Sequence, residues 1–368
     1  MLTFIAMFLL VYAAMHFYLA GKIWFACPHS WGLSATLIAA GVILSFAPLL
    51  VWFMERQGWH RAAAIAAWTS YGWMAYVFLF VCVGLLFDLG FILASPLKGA
   101  WPLTPQWTLR IVAMLSLMLL VYGFFEARHI RIEKIDIVTP RLANGRVSIA
   151  QISDLHLGIM QGRRLLDRIL PKLAELQPDI VVATGDIVDG QGDDFPALAR
   201  RLRAYKPPLG AYAVTGNHEY YVGLDTSLRF LREAGFTVLR GEAVRAGGIV
   251  LAGVDDPAVT GSLQQTRAQE AQALAPAGAD DFVVLLKHQP LVDDDSRFDL
   301  QLSGHVHGGQ IYPFVYLTRL AYKFRTGLTE LADGRKLYVS RGAGTWGPPI
   351  RLFAPPEIAL ITIRSANK

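Results

Sequence analysis

The stretch "LSGHVHGGQ", residues 302–310, sets two histidines two positions apart among three glycines. A lone histidine is ordinarily a packed, hydrogen-bonded residue, so His305 and His307 take their meaning from what surrounds them. The apolar run "DLQLS" just before them reads as a short buried strand that stops where the glycines begin. From residue 147 onward the chain repeats this arrangement. Its histidines there are His156, His218, His288, His305 and His307, and each falls at or just past the end of an expected strand.

Those strands are "RVSIAQISD", "DIVVATGD", "GAYAVTGNHE", "GIVLAGVDD", "FVVLLKHQ", "DLQLSGHVH", "KLYVS" and "EIALITIR". Between several of them lie helical stretches such as "RRLLDRILPKLAEL", with apolar residues at three- and four-residue spacings. Strands rich in Val, Ile and Leu alternating with helices indicate an α/β domain with buried sheets. In such folds ligands collect beyond the carboxyl ends of the strands. Carboxylates and amides accompany the histidines: Asp154 with His156 in "SDLHLG", Asp186 in "TGDIVD", Asn217 with His218 in "TGNHE". Gly158, Gly185, Gly216, Gly304, Gly308 and Gly309 lie close by, where tight turns would let backbone approach an ion. A collection of unrelated core histidines would have no reason to end every strand, so a nitrogen- and oxygen-rich metal cluster is the expectation. "GAGTWG", residues 342–347, matches a dinucleotide fingerprint, but Pro348 and Pro349 follow and no helix is expected to start there.

The first third of the chain is different. Residues 1–21, 23–54 and 62–87 carry no Asp, Glu, Lys or Arg, and each run is long enough to cross a bilayer as a helix. A weaker fourth span covers roughly 107–126, with Arg110 near its start. The expected organisation is a transmembrane region over 1–126 (spans about 1–21, 31–54, 63–87 and 107–126). A basic juxtamembrane linker follows at 127–146, then the α/β domain at 147–368. Arg56, Arg61, Arg128, Arg131, Lys134, Arg141 and Arg146 on one side outnumber Lys22, Lys98 and Arg110 on the other. The positive-inside rule then puts the C-terminal domain in the cytoplasm, with the chain multi-pass in the inner membrane. From residue 147 on, 24 basic residues balance 24 acidic ones, which argues against polymeric nucleic acid as a partner. Cys27 and Cys82 lie in or beside the spans, so the C-terminal part has neither a disulfide framework nor a thiolate ligand.

The ordered set "SDLHLG", "GDIVD", "GNHE", "KHQ" and "GHVHGG" resembles the calcineurin-like metallophosphoesterases over residues 147–364. The resemblance implies two mixed β-sheets packed as a sandwich, flanked by helices, with two divalent metal ions (Mn, Fe or Zn) at the strand ends. By position, Asp154, His156 and His307 would hold one ion, Asn217, His288 and His305 the other, and Asp186 would bridge them. His218 would approach the scissile phosphate, and Asp189 completes the GD-x-x-D pattern. Asp255, Asp256 and Arg341 are candidates for the rim. Two ions about 3.5–4 Å apart can clamp phosphoryl oxygens and activate a water.

The C-terminal blocks are similar to the bacterial membrane-associated branch that includes UDP-2,3-diacylglucosamine pyrophosphatases of lipid A synthesis. The four-span N-terminal half departs from that branch's single-anchor layout. The expected activity is hydrolysis of a phosphoester or pyrophosphate in a lipid-linked substrate. "IYPFVYLTRLAYKFRTGL", residues 311–328, mixes aromatics with cations such as Tyr316 and Arg319, a combination suited to a lipid headgroup interface. Two alternatives stand beside this one: a phosphodiesterase for soluble nucleotides, and a sensor or transporter whose domain only binds. Unpaired acidic groups within the spans would favour transport, and Asp88 is the one clear case.

Overall fold

The computed structural model describes residues 2–96, 102–142, 145–190 and 194–366. They form two compact units, Met1–Phe125 with Gly347–Leu352, and Glu126–Trp346 with Phe353–Lys368.

The first unit is built on helices α1 (Leu2–Ala26), α2 (Trp31–Arg56), α3 (His60–Ala94) and α4 (Pro105–Glu126). All four are long and apolar enough to cross a membrane. Their outward surface is apolar, as at Leu10, Phe17, Ile43 and Leu86, which is the reverse of a water-facing bundle. Ser30 caps α2 by accepting the Leu33 amide at 3.0 Å. Asp88 does not stand alone: it pairs with Lys22 and accepts the Tyr18 hydroxyl at 2.6 Å, tying α3 to α1. His16 donates from Nδ1 to the Tyr12 carbonyl (2.9 Å) and accepts from the Trp73 indole at Nε2 (2.9 Å). The cation of Arg110 rests over the Trp107 ring at 5.0 Å.

The second unit is the α/β sandwich. Its strands are β1 (Arg131–Thr139), β2 (Arg146–Ile152), β3 (Ile180–Thr184), β4 (Ala211–Val214), β5 (Thr237–Val238), β6 (Glu242–Ala246), β7 (Ile249–Gly253), β8 (Val283–Leu286), β9 (Leu300–Ser303), β10 (Gly327–Glu330), β11 (Lys336–Val339) and β12 (Glu357–Ser365). Its helices are α5 (Arg163–Leu176), α6 (Phe195–Arg203), α7 (Asn217–Val222), α8 (Leu224–Glu233), α9 (Pro257–Thr260), α10 (Leu263–Leu274) and α11 (Val315–Ala321). One sheet runs β1-β12-β2-β3-β4-β5 and the other β10-β11-β9-β8-β7-β6. Both are mixed: β2 to β5 pair in parallel while β12 runs antiparallel to β2, and β7, β8, β9 and β11 are parallel with β6 and β10 antiparallel at the edges.

The apolar runs of β3, β7, β8 and β9 look continuous in sequence because these strands are buried on both faces. Ile180 and Val182 of β3 point into the core between the sheets together with Leu251, Val284, Leu286, Leu300 and Leu302. Val181 and Ala183 face the other way, under Leu165, Ile169, Leu198 and Leu231 of α5, α6 and α8. On the far side, Val250, Val283 and Leu285 pack against Ala273 and Leu274 of α10. The segment 127–146, expected as a linker, carries β1, whose nine residues pair in parallel with β12. No helix begins within 342–347; Gly342 instead turns tightly against the Asp154 side chain.

Candidate metal centre

The parallel strands of the two sheets deliver the candidate ligands. Asp154 and His156 follow β2, Asp186 follows β3, Asn217 and His218 open α7 just after β4, His288 follows β8, and His305 and His307 follow β9. Five of these residues take the left-handed backbone region, with φ of 53° at Asp154, 48° at His156, 53° at Asp186, 73° at His305 and 51° at His307. That conformation is uncommon outside glycine and costs on the order of 1 kcal/mol or more at each position. Its concentration here marks turns bent to aim side chains inward. Close approach explains two of the glycines. A Cβ at Gly185 would sit 2.5 Å from His288 Nδ1, and one at Gly304 would collide with Ser153 and Asp154.

The donor atoms fall into two adjoining groups. Asp154, His156 and His307 form one and Asp186, His288 and His305 the other, the ligand atoms within each lying no more than 4.8 Å apart. Nε2 of His156 faces Nε2 of His307 at 3.1 Å, and Nε2 of His288 faces Nδ1 of His305 at 3.1 Å. Asp186 Oδ2 lies between the groups, 3.1 Å from His288 Nε2 and 3.9 Å from His156 Nε2. His288 Nδ1 lies 2.8 Å from the Thr184 carbonyl, which turns its Nε2 toward the cluster. Burial and the neighbouring His288 push His305 down to about 3, so its ring is neutral and free to ligate. Burial raises the Asp154 carboxyl; burial also opposes ionisation of Asp186, but the imidazoles of His288 and His218 outweigh it and hold that carboxyl well below its ordinary range.

Two oxygens decide whether a cation fits. Asp154 Oδ2 and Asn217 Oδ1 are buried without a hydrogen-bond partner among the described residues. Leaving such atoms unsatisfied is costly, and Asp154 stands in the group with His156 and His307. A divalent cation supplies the missing positive charge, and the all-nitrogen-and-oxygen donor set suits borderline-to-hard ions.

His218 stands at the edge of the cluster. Its amide donates to Asp186 Oδ1 at 2.9 Å, and its Nδ1 lies 3.0 Å from Asp189 Oδ1. Burial alone would lower its pKa, yet Asp186 and Asp189 carry it up to about 9. Asp189 also reaches His156 Nδ1 at 3.6 Å and so steadies both rings.

The residues expected at the rim have partners of their own. Asp255 accepts from Thr215 (2.8 Å) and the Arg240 guanidinium (2.9 Å), in a network of its own. Asp256 caps α9 through the Ala258 amide at 2.8 Å. Arg341 pairs with the carboxylates of Glu133 and Glu357 and donates to the Pro355 carbonyl, tying β1 to β12, and its side chain lies beside Gly308, next to His307. Tyr316 and Arg319 point outward from α11, with the cation 5.4 Å from the ring centroid.

Two residues escaped the sequence reading. Glu219 is fully buried and accepts the amides of Asp186 (2.9 Å), Ile187 (2.8 Å), Val188 (3.2 Å) and Gly216 (2.6 Å), locking the GDIVD turn to the GNHE turn. Its place inside "GNHE" was the available signal. Tyr322 sets its hydroxyl 2.6 Å from His305 Nε2 and 3.3 Å from Gln289 Oε1, and Gln289 in turn donates to Asp256 at 2.9 Å. This chain fixes the ring whose Nδ1 faces the cluster.

Comparison with known proteins agrees with this geometry. The calcineurin-like phosphoesterase family profile matches residues 147–309. An uncharacterized metallophosphoesterase of Aquifex aeolicus is 41% identical over 255 residues, covering 68% of this chain and 98% of that protein. Another, from Campylobacter jejuni, is 34% identical and covers 73% of this chain and 74% of its own length. A Bos taurus transmembrane protein with metallophosphoesterase domain is 30% identical, and the alignment takes in 93% of this chain and 82% of that one, helices included.

Proposed function

The chain belongs to the calcineurin-like phosphoesterase family and is a metal-dependent phosphohydrolase; on that premise we propose that it uses two divalent cations to hydrolyse a phosphoester or pyrophosphate bond in a lipid-linked substrate. The observation that supports the chemistry is the adjoining groups Asp154–His156–His307 and Asp186–His288–His305, with Asp186 also 3.9 Å from His156 and with buried oxygens of Asp154 and Asn217 that have no hydrogen-bond partner among the described residues. Asp154, His156 and His307 would hold one cation, and Asn217, His288 and His305 the other. Bound there, the cations supply electrophilic stabilisation of the phosphoryl oxygens and an activated water.

The remaining work falls to the chain's own side chains. His218, protonated and held by Asp189, hydrogen-bonds the phosphate and gives its proton to the leaving oxygen. Glu219 keeps the two turns in register, and Tyr322 keeps His305 turned toward the cluster. Four apolar helices in the same polypeptide favour a substrate that stays in the bilayer, since tethering raises its effective concentration at the site. A nucleotide-linked diacyl sugar such as UDP-2,3-diacylglucosamine fits this class. The excess of Arg and Lys in residues 127–146, with Arg56 and Arg61 at the facing ends of α2 and α3, favours an inner-membrane protein with the second unit in the cytoplasm.

The test is a hydrolysis panel with detergent-solubilised, Mn²⁺-supplemented protein. Lipid-linked pyrophosphates, phospholipids, and linear and cyclic nucleotides are compared by kcat/KM. A preference for lipid-linked esters supports the proposal; a preference for soluble nucleotides replaces it with the phosphodiesterase reading. Binding of any of these without turnover would favour a sensor. Asp88, the acid that would favour transport if unpaired, pairs with Lys22 and Tyr18.

A further inference from the structure

The second unit carries an exposed apolar face that catalysis does not explain. It begins at Tyr312 and Phe314 and continues along α11 through Tyr316, Leu317 and Leu320, the last 85% exposed. No residue of α11 is buried. Phe353 joins the face from another part of the chain. Its ring lies 6.0 Å from that of Tyr312, and it is 65% exposed. Its backbone is held at a φ of 57°, its amide donating to Glu126 at 2.7 Å. A bulky residue in the left-handed region is a costly way to present a phenyl ring to the outside. Large contiguous apolar patches of this kind mark interaction sites on folded domains.

Charge identifies the occupant. Arg319, Lys323 and Arg325 are exposed on the same segment, and the sequence has no Asp or Glu from residue 300 to residue 329. A two-fold contact with a second copy would set these cations against themselves, which opposes self-association. Aromatic rings, aliphatic tips and cations together match the boundary between headgroups and acyl chains. The chain's own apolar helices make a bilayer its permanent neighbour.

We propose that the face formed by Tyr312, Phe314, Tyr316, Leu317, Leu320 and Phe353 seats in an anionic lipid surface and sets the depth at which the metal cluster meets its substrate. The link to the cluster is direct. α11 packs on the turn His307–Gly309, where a Cβ on Gly309 would collide with Val315, and Tyr322 at its end touches His305. A phosphate at headgroup depth therefore reaches the ligands without leaving the membrane surface. This inference rests on the lipid-linked reading above for its substrate class, and the surface itself can be tested without any substrate.

The full chain, with Cys27→Ser and Cys82→Ser, is given one labelling site, Leu320→Cys on the face or Glu175→Cys on exposed α5 as control. Each is labelled with an environment-sensitive fluorophore and placed in nanodiscs of phosphatidylcholine, alone or mixed with phosphatidylglycerol. Nitroxide-labelled lipid is expected to quench position 320 about threefold more than position 175, with iodide doing the reverse and the contrast larger in anionic discs. Equal iodide access at both positions would overturn the proposal, as would protection of position 320 from both quenchers, which is the signature of a protein partner. Quenching that ignores phosphatidylglycerol would overturn the role given to the cations. A negative result here would leave the hydrolysis panel to judge the lipid-linked reading on its own.

Discussion

The helical bundle and the strand-tip cluster both bury ionisable groups, and they treat them in opposite ways. In the bundle, Lys22 meets Asp88, Tyr18 backs the same carboxylate, and both nitrogens of His16 have partners. In the cluster, carboxylate and amide oxygens are left without donors, imidazole nitrogens face one another at 3.1 Å, and five residues are bent into left-handed backbone. The first arrangement is what folding alone would select. The second is costly to the apo protein and makes sense only with positive charge added.

The sharpest test of that contrast is His218. His218→Asn should lower kcat about 100-fold or more on an alkyl phosphodiester and far less on a p-nitrophenyl ester, whose leaving group needs no proton. Equal losses on both would remove its role as proton donor. Glu219→Gln comes next, because an amide turns an NH₂ toward backbone donors that now meet a carboxylate. Metal affinity, read by calorimetric titration, should weaken about 10–100-fold, and the thermal midpoint should fall as the two turns separate. Tyr322→Phe keeps the ring and deletes only the hydroxyl on His305. Roughly tenfold weaker binding of one metal equivalent is expected, with the other unchanged; unchanged binding of both would reduce Tyr322 to packing. The smallest effect belongs to the bundle. Lys22→Met with Asp88→Leu should leave kcat/KM within about twofold, whereas Asp88→Leu alone strands a cation and lowers stability. Loss of turnover in the double variant would break the comparison.

Much of this was legible before folding. Strands buried on both faces read as unbroken apolar runs, and Asp154, His156, Asp186, His288, His305 and His307 stand at their ends because the sheets need residues there that turn. The four apolar helices were equally plain, since a bilayer demands length and composition together. Edge strands were harder. β1 pairs on one side only, with β12, and keeps Arg131, Lys134 and Asp136 in a sequence that looks like a charged connector. Short β5, β6 and β10 carry too few residues for alternation to show. The pairing of Arg341 could not be read from the sequence, because nothing in its neighbourhood announces Glu133, which lies 208 residues away. Tyr322 was visible only as one aromatic among several, since its contact with His305 is created by the fold of the 311–322 segment.

The central claim is that unanswered nitrogen and oxygen atoms at the strand tips are a cation site, and it is tested most directly by locating the metal. Anomalous diffraction from the purified, Mn²⁺-loaded protein, with elemental analysis of the same sample, should give two peaks per chain. One should lie among Asp154, His156 and His307, the other among Asn217, His288 and His305, and Asp186→Asn should deplete both. A full complement of metal bound elsewhere, or none retained after exhaustive loading, would contradict the account.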